Sequence, residues 1–250
     1  DLEPQRPSLP IHRMENPSAD QLRSLQQRHA QIHTGNLDRH SALWHNILDA
    51  SEVSLFAYQF GPPDAPEGYV IFQQLNYEKN EFIILRDWAL TTPAALQTFW
   101  AFMASHRSQI DRIGWCSGLI DPLATVLADQ IAETVGGDRW MVRIINVDNA
   151  LEARSYPVGC STQLYLTVQD EQLSQNTDTF CLSVNNGEGT VSRQSGNGLT
   201  LSIRALASLY SGFLSPDQLG WMGQLEGSTE ARAIATQLFM SSSPWMPDFF

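Results

Sequence analysis

Positive charge is scarce in this sequence. Lysine occurs once, at Lys79, and the 15 lysines and arginines are outnumbered by 27 aspartates and glutamates, which gives a formal net charge of −12. Nucleic acids and anionic membranes attract clustered positive charge. We therefore expect neither nucleic acid nor a membrane among the partners. The acidity fits a cationic ligand, although an acidic surface also serves solubility alone.

Cysteines and long apolar runs are also scarce. Cys116, Cys160 and Cys181 form no Cys-x-x-Cys pair, and such a sparse, odd count is typical of a reducing cytoplasm. No apolar run reaches the roughly eighteen residues of a membrane span, and no signal peptide opens the chain. We therefore predict a cytoplasmic protein. The proline-rich lead from Asp1 predicts a linker over residues 1–17 of a larger protein.

Motifs for metal binding, nucleophilic catalysis and phosphate binding are missing or incomplete. His29 and His33 have the spacing of paired metal ligands, but no H-E-x-x-H pattern surrounds them, so we expect no metal. No G-x-S-x-G motif occurs. The glycine-rich stretches NNGEG (185–189) and SGNG (195–198) fall between predicted strands. We predict them as hairpin turns, because a phosphate-binding loop leads into a helix.

The first half of the chain has the pattern of a sheet covered by helices. Alternating apolar residues predict an antiparallel meander, with strands at 53–60, 69–75 and 81–88. Ser18 and Gln21 form the capping box of a predicted helix, and Thr92 precedes a second helix with Pro93 at its first position. Further elements are predicted as strands at 110–116 and 139–147 and a short helix at 121–129.

A second, smaller pattern starts near residue 148. A short helix with Asp148 as its cap is followed by predicted strands at 162–170, 179–186 and 189–195. Residues 199–212 begin extended and then become helical up to Gly212, and two helices close the chain at 215–223 and 228–239. We predict an α+β fold with one domain over 18–147 and another over 148–250. A sheet covered by helices in this way can enclose an apolar cavity.

The junction between the third strand and its helix lacks glycine. It reads RDWALTTPAALQ, at the kind of strand-to-helix turn where acyl-CoA enzymes hold pyrophosphate on backbone N–H groups. That contact needs glycines for the close approach of the backbone, and Pro93 removes one donor. We expect the geometry of a CoA site here without its chemistry.

The chain ends in SSSPWMPDFF (241–250), although chain ends are usually polar and frayed. Trp245, Phe249 and Phe250 are apolar, and Asp248 is the one charged residue among them. One interpretation is that the aromatic side chains dock the last segment onto the core. The other is that they anchor a functional terminus.

Several stretches resemble the Eis-like (enhanced intracellular survival) family of GNAT N-acetyltransferases. RWMVRIINVDNALEARSY (139–156) is the most specific of them, together with residues 35–48, 85–113 and 121–129. The resemblance runs from about residue 17 to Phe250. It implies a degenerate GNAT-like lobe with a mixed sheet and flanking helices, followed by a smaller domain similar to sterol carrier protein type two. It also implies that acetyl-CoA binds to a preceding GNAT domain, so no cofactor-binding residue is expected in this chain.

In the family that the chain resembles, the terminal α-carboxylate is the base that takes a proton from the amine substrate. The resemblance places this role on Phe250 and implies substrate contacts from Trp245, Asp248 and Phe249. A buried carboxylate near other acids is a better base than a solvated one. The implied substrate is a cationic amine of the aminoglycoside, polyamine or lysine type, the implied assembly is a homo-oligomer, and the 250 residues alone are expected to be inactive. The alternatives are a non-catalytic carrier-like module that binds an apolar ligand and a structural oligomerisation lobe.

Overall fold

The computed structural model describes residues 6–51, 53–78, 80–127 and 131–249. They divide into two compact units, one comprising Asp1–Gly136 with Trp245–Phe250 and the other Gly137–Pro244. The predicted domains, 18–147 and 148–250, differ from this division at both ends of the second unit, which begins before residue 148 and stops before Trp245. Ile144 is buried in the core of the second unit, whereas Trp245 is buried in a core of the first.

The first unit contains a five-stranded sheet in the order β1-β2-β3-β4-β5. Its strands are β1 (Ile11–Met14), β2 (Leu55–Phe60), β3 (Gly68–Tyr77), β4 (Asn80–Leu90) and β5 (Arg112–Gly114). Strands β1 to β4 are antiparallel neighbours, and β4 and β5 run parallel. The predicted meander is confirmed. Residues 11–14 are not linker as predicted, because β1 pairs along β2 and the carbonyl of Pro10 accepts a hydrogen bond from Gly61.

Helices pack against this sheet, and two separate apolar cores lie between them and the strands. The helices are α1 (Ala19–Ala30), α2 (Ser41–Leu48), α3 (Pro93–Ser105) and α4 (Pro122–Thr125). Along β3, Tyr69 and Ile71 pack in the core that contains residues of α1 and α2, whereas Val70 and Phe72 pack in the core that contains residues of α3. This alternation is what a strand buried on both faces requires. The helix predicted over 121–129 ends at Thr125, and its residues 128–129 lie outside the described residues.

A bulge in β4 changes which face its residues present. Phe72 pairs with Leu85 and Ile71 pairs with Asp87, so Arg86 is an extra residue in β4. In a regular strand, residues 85 and 87 would share one face. The bulge instead leaves Leu85 in the core with α3 and sets Asp87 opposite Ile71, which packs in the other core. This irregularity places a carboxylate inside the unit.

The second unit contains another five-stranded sheet, in the order β10-β9-β6-β7-β8. The strands are β6 (Ser161–Gln169), β7 (Asp178–Asn185), β8 (Glu188–Arg193), β9 (Leu199–Ser202) and β10 (Leu225–Glu226). The helices are α5 (Val147–Ala153), α6 (Ile203–Tyr210), α7 (Pro216–Trp221) and α8 (Thr229–Phe239), with a 3-10 turn at Ser174–Asn176. Only β6 and β9 run parallel among these pairs. Apolar residues of the sheet and of all four helices share one core.

Two predictions about the second unit are wrong. The stretch 139–147 forms no strand: Met141 and Ile145 expose 96% and 62% of their surface, and the segment is held by Arg143, which donates to Asp170. SGNG (195–198) is not a hairpin turn, because β8 and β9 lie on either side of β6 and β7 rather than next to each other. The turn at Asn186 and Gly187 is confirmed between the paired strands β7 and β8.

Candidate functional site

A buried cluster of charged side chains lies in the first unit. Arg39, just before α2, donates from Nη1 and Nη2 to the two carboxylate oxygens of Asp87 on β4, at 2.8 and 2.9 Å. Its Nε donates to Oδ1 of Asp248 at 2.8 Å. All three side chains are buried, and Arg39 lies over the ring of Trp44, with Cζ 5.1 Å from the ring centroid. The planar guanidinium can bridge two carboxylates in this way because its donors form a rigid fork.

The charges of this cluster do not cancel. Two carboxylates face one guanidinium, and the hydroxyl of Tyr69 donates to Asp87 at 2.6 Å. Burial and the charge of Asp87 raise the pKa of Tyr69 well above its ordinary value of 10.0, so the phenol stays protonated. Burial also raises the pKa of Asp248, although Arg39 opposes that shift. Burial alone would lower the pKa of Arg39, but Asp87 raises it further, so the guanidinium stays charged.

The segment that carries Asp248 docks onto the first unit through Trp245. The indole ring of Trp245 stacks on that of Trp88, with centroids 5.5 Å apart, and meets the ring of His33 edge to face at 5.3 Å. Its backbone N donates to the carbonyl of Thr34 at 2.8 Å, and its carbonyl accepts from Nδ2 of Asn36 at 3.0 Å. Trp245 is therefore anchored through both its side chain and its backbone.

Two glycines make room for this docking. Gly35 has a φ of +97°, and a Cβ added there would lie 3.2 Å from the carbonyl oxygen of Trp245. A Cβ on Gly118 would lie 3.0 Å from the Cβ of Trp245. Positive φ and such a close backbone approach both favour glycine. The loop after α1 and the segment after β5 are thus shaped to accept Trp245.

A cavity of about 260 Å³ lies beside the docked segment. It is lined by Gln26, His29, Asn36, Arg39, Gln73, Ile84, Leu85, Arg86, Asp87, Trp88, Cys116, Trp245, Pro247 and Phe249. Seven of these fourteen side chains are polar or charged and three are aromatic, so the lining is more polar than that of a typical small-molecule site. Three of its residues belong to the last segment, so docking of that segment forms one wall of the cavity.

His29 contributes a neutral imidazole to the cavity lining. Its Nδ1 lies 3.2 Å from the carbonyl oxygen of Leu90, so Nδ1 carries the proton and Nε2 is an acceptor. Nε2 is buried and has no hydrogen-bond partner within the described ranges. Burial lowers the pKa of His29 from 6.5 to about 4. The ring packs against Trp88 at a centroid distance of 4.7 Å.

The structure brings the predicted substrate residues together in part. Trp245 and Phe249 both line the cavity, whereas Asp248 is buried and engages Arg39. Phe250, predicted to carry the catalytic carboxylate, lies outside the described residues. Sequence reasoning missed Arg39 and Asp87. An aspartate inside the otherwise apolar strand stretch LRDWAL is a signal for Asp87, but no local pattern marks Arg39.

Side-chain oxygen atoms of Thr92 and Glu67 lie at the N-terminus of α3. The hydroxyl of Thr92 accepts from the backbone N of Ala95 at 3.1 Å and donates to Oε2 of Glu67 at 2.5 Å. Thr91 N also donates to the carbonyl of Glu67. A phosphate at this helix start would compete with Thr92 and meet the carboxylate of Glu67. That this chain holds no cofactor-binding residue stays a prediction.

The described part of the chain contains no group of three or more His, Cys, Asp or Glu side chains that could hold a metal ion. His29 and His33 contact each other through their rings at 5.5 Å, but Nδ1 of His29 faces a carbonyl. Within the same ranges, no helix is both long and apolar enough to cross a membrane.

Comparison with known proteins assigns the two regions. Residues 35–144 match the acetyltransferase (GNAT) domain model, and residues 147–247 match the sterol carrier protein domain model. Over its whole length the chain superposes on a GCN5-related N-acetyltransferase from Anabaena variabilis, with 41% identity and a TM-score of 0.95, covering 64% of that chain. Eis1 from Mycobacterium abscessus shares the fold, with 24% identity, a TM-score of 0.75 and coverage of 100% of this chain and 65% of that one.

A curated relative is also named as an N-acetyltransferase. An uncharacterized N-acetyltransferase from Streptomyces avermitilis is 34% identical over an alignment of 176 residues that covers 66% of this chain and 40% of the relative. The match therefore covers less than half the length of that relative. The predicted α+β fold is confirmed as a mixed GNAT fold with flanking helices and a sterol carrier protein domain in the C-terminal region.

Proposed function

We propose that this chain is the middle and C-terminal region of an acetyl-CoA-dependent N-acetyltransferase of the Eis-like type that acts on cationic amines. The cavity beside the last segment is the observation that carries the proposal. Two of the three residues predicted to contact substrate line it, and Asp248, which lies between two lining residues, is buried beside Arg39.

The chemistry of the cavity suits an ammonium group. The cluster of Arg39, Asp87 and Asp248 carries one more negative than positive charge, and opposite charge nearby favours a bound cation. Trp88 and Trp245 offer ring surface for a cation or its methylene chain. Nε2 of His29 is a buried acceptor, and an amine N–H can donate to it. Arg86 also lines the cavity, and its charge offsets the excess negative charge of the cluster; its side chain is exposed and donates to the carbonyl of Asn46. The ring surface and the Nε2 acceptor are therefore the main contacts offered to an amine.

In this proposal the reaction needs a further part of the protein. In this proposal acetyl-CoA binds to a GNAT domain in the part of the longer relatives that the present sequence does not cover. The disfavoured pyrophosphate position at α3 supports that division of labour. The α-carboxylate of Phe250 takes the proton from the amine. The role of Phe250, the homo-oligomer and the cytoplasmic location stay predictions.

Titration of the 250-residue chain with spermidine, followed by tryptophan fluorescence, tests the amine site. We expect saturable binding that Trp245→Ala weakens by about tenfold, since tenfold corresponds to about 1.4 kcal/mol and an aromatic contact contributes about 0.5–1.5 kcal/mol beyond its buried area. Trp221→Phe is the matched control, because Trp221 is 87% exposed and lies in the second unit. Acetyl-CoA should not bind to this chain. Absent spermidine binding, or clear acetyl-CoA binding, would contradict the proposal.

Extension of the full-length protein by one alanine after Phe250 tests the base. It should lower the turnover of spermidine with acetyl-CoA far more than it lowers thermal stability, because it displaces the carboxylate while leaving the aromatic anchors. An extended protein that acetylates spermidine at the unmodified rate would remove the base role.

A further inference from the structure

We propose that Arg39 is the positioning residue of the cavity: it holds the segment Trp245–Phe249 on the first unit and so fixes the wall that the segment supplies. The consequence for amine binding rests on the proposed function. The structural part, that Arg39 fixes the segment, does not.

The guanidinium of Arg39 donates both to the sheet and to the last segment. Nη1 and Nη2 engage Asp87 on β4 as a bidentate pair, and Nε engages Asp248. Asp87 belongs to the rigid sheet, where it is also bonded by Tyr69. The orientation of Arg39 is thus set from the sheet side, and Nε presents one fixed donor to the last segment.

Asp248 is a second anchor of the segment, three residues beyond Trp245. The hydrogen bonds of Trp245 to Thr34 and Asn36 fix the start of the segment. Pro247 and Phe249 flank Asp248 and line the cavity. A stretch held at both positions has a defined path, and Pro247 restricts it further. The bond from Arg39 to Asp248 therefore determines where these two lining residues lie.

The choice of arginine follows from this task. The ammonium group of lysine is a single point charge without the planar fork, so it cannot make the bidentate pair with Asp87 and also present Nε to Asp248. Oδ2 of Asp248 is buried without a hydrogen-bond partner within the described ranges. The contact from Nε to Oδ1 is thus the polar contact that the structure gives the Asp248 carboxylate.

Hydrogen exchange of the 250-residue chain tests the positioning role. Arg39→Met and Asp248→Ala should each raise the exchange rate of the Trp245 amide, which donates to the Thr34 carbonyl and is followed in the peptide covering residues 245–249, by about tenfold or more, since a locally released segment exchanges through low-energy opening. Asp248→Ala leaves the pair of Arg39 and Asp87 intact, so peptides from β3 and β4 should keep their protection. This variant decides the question if Arg39→Met fails to fold because Asp87 and Asp248 are left unpaired.

Arg193→Met is the matched control. Arg193 also bonds two carboxylates, those of Asp148 and Asp178, and lies over the ring of Phe180, but it belongs to the second unit. Its loss should leave the exchange of residues 245–249 unchanged. Exchange of this peptide at the wild-type rate in a folded Asp248→Ala variant would overturn the inference.

Spermidine affinity separates this inference from the proposed function. If both hold, Arg39→Lys and Asp248→Ala raise the Kd for spermidine by about tenfold, with Arg193→Met unchanged. If the wild-type chain does not bind spermidine, the proposed function fails while the exchange rates still decide the role of Arg39. Faster exchange with unchanged affinity would refute the claim that the segment shapes the binding wall.

Discussion

Acidification is expected to destabilise the first unit through His29. The ring is buried as a neutral imidazole, with its pKa lowered from 6.5 to about 4. The unfolded chain therefore binds a proton between these values while the folded chain does not. Stability contributed by the neutral ring is complete above pH 6.5 and is lost as the pH falls toward 4. At about 1.4 kcal/mol per pKa unit, the loss is about 3 kcal/mol.

The cause is mainly desolvation. The hydrogen bond to the Leu90 carbonyl and the charge of Asp87 favour the protonated ring, while His33 and Arg39 oppose it. Asp248 acts in the reverse direction, because its raised pKa makes the folded state bind the proton more tightly as the pH falls. Other groups also contribute: burial lowers the pKa of His33, the hydrogen bond from the Ser51 backbone lowers that of Asp49, and, against the effect of burial, hydrogen bonds from Arg143 and Asn176 lower that of Asp170. The wild-type pH profile therefore sums several contributions, and His29 must be isolated by substitution.

His29→Asn provides that comparison, because the Asn amide can donate to the Leu90 carbonyl in place of Nδ1 and does not titrate. Urea unfolding at pH 7 and at pH 4 should show a wild-type stability loss that exceeds the loss in His29→Asn by about 3 kcal/mol. His106→Asn is the control, since His106 is only partly buried and lies outside the cavity lining. Equal pH dependence in wild type and His29→Asn would refute the assignment of a buried neutral ring.

Two further substitutions test the docking loop and the charged cluster. Gly35→Ala should lower the free energy of unfolding, measured in urea, by about 1–3 kcal/mol, because alanine at positive φ is strained and its Cβ would press on the carbonyl of Trp245. Gly136→Ala is the control and should leave the free energy nearly unchanged, since the space around Gly136 is open. Equal effects of the two substitutions would contradict this account. Tyr69→Phe should lower the free energy of unfolding by about 1–3 kcal/mol, because it removes one of the two hydrogen bonds that the buried, charged Oδ2 of Asp87 accepts and leaves only that from Arg39. A loss no larger than that of Tyr58→Phe would argue against a structural role for this hydroxyl.

Local chemistry in the sequence was sufficient for most of the elements. Thr92 and Pro93 mark the start of α3, and the Thr92 hydroxyl caps Ala95 as the pattern predicts. Ser18 and Gln21 form the predicted capping box of α1. Such signals involve residues three or four positions apart. The stretch 139–147 misled the same reasoning, because β-type residues there suggested a strand while the structure forms no strand in this stretch.

The site depended on contacts that no local pattern records. Arg39 lies 48 residues from Asp87 and 209 residues from Asp248. The bulge that turns Asp87 away from the face of Leu85 depends on the register between β3 and β4. Trp245 and Phe249 could be singled out from the sequence because aromatic residues are unusual at a chain end. Their partners could be identified only from the fold.

The wide separation between Arg39 and Asp248 imposes an order on assembly during synthesis. Chains fold largely from the N-terminus as they emerge, so the sheet of the first unit forms while Asp87 and Arg39 still lack Asp248. The whole second unit must be translated before Trp245 reaches Trp88. The ribosome therefore carries a nearly complete first unit with an open apolar slot at Gly35 and Gly118 for the time that more than a hundred residues take, on the order of ten seconds.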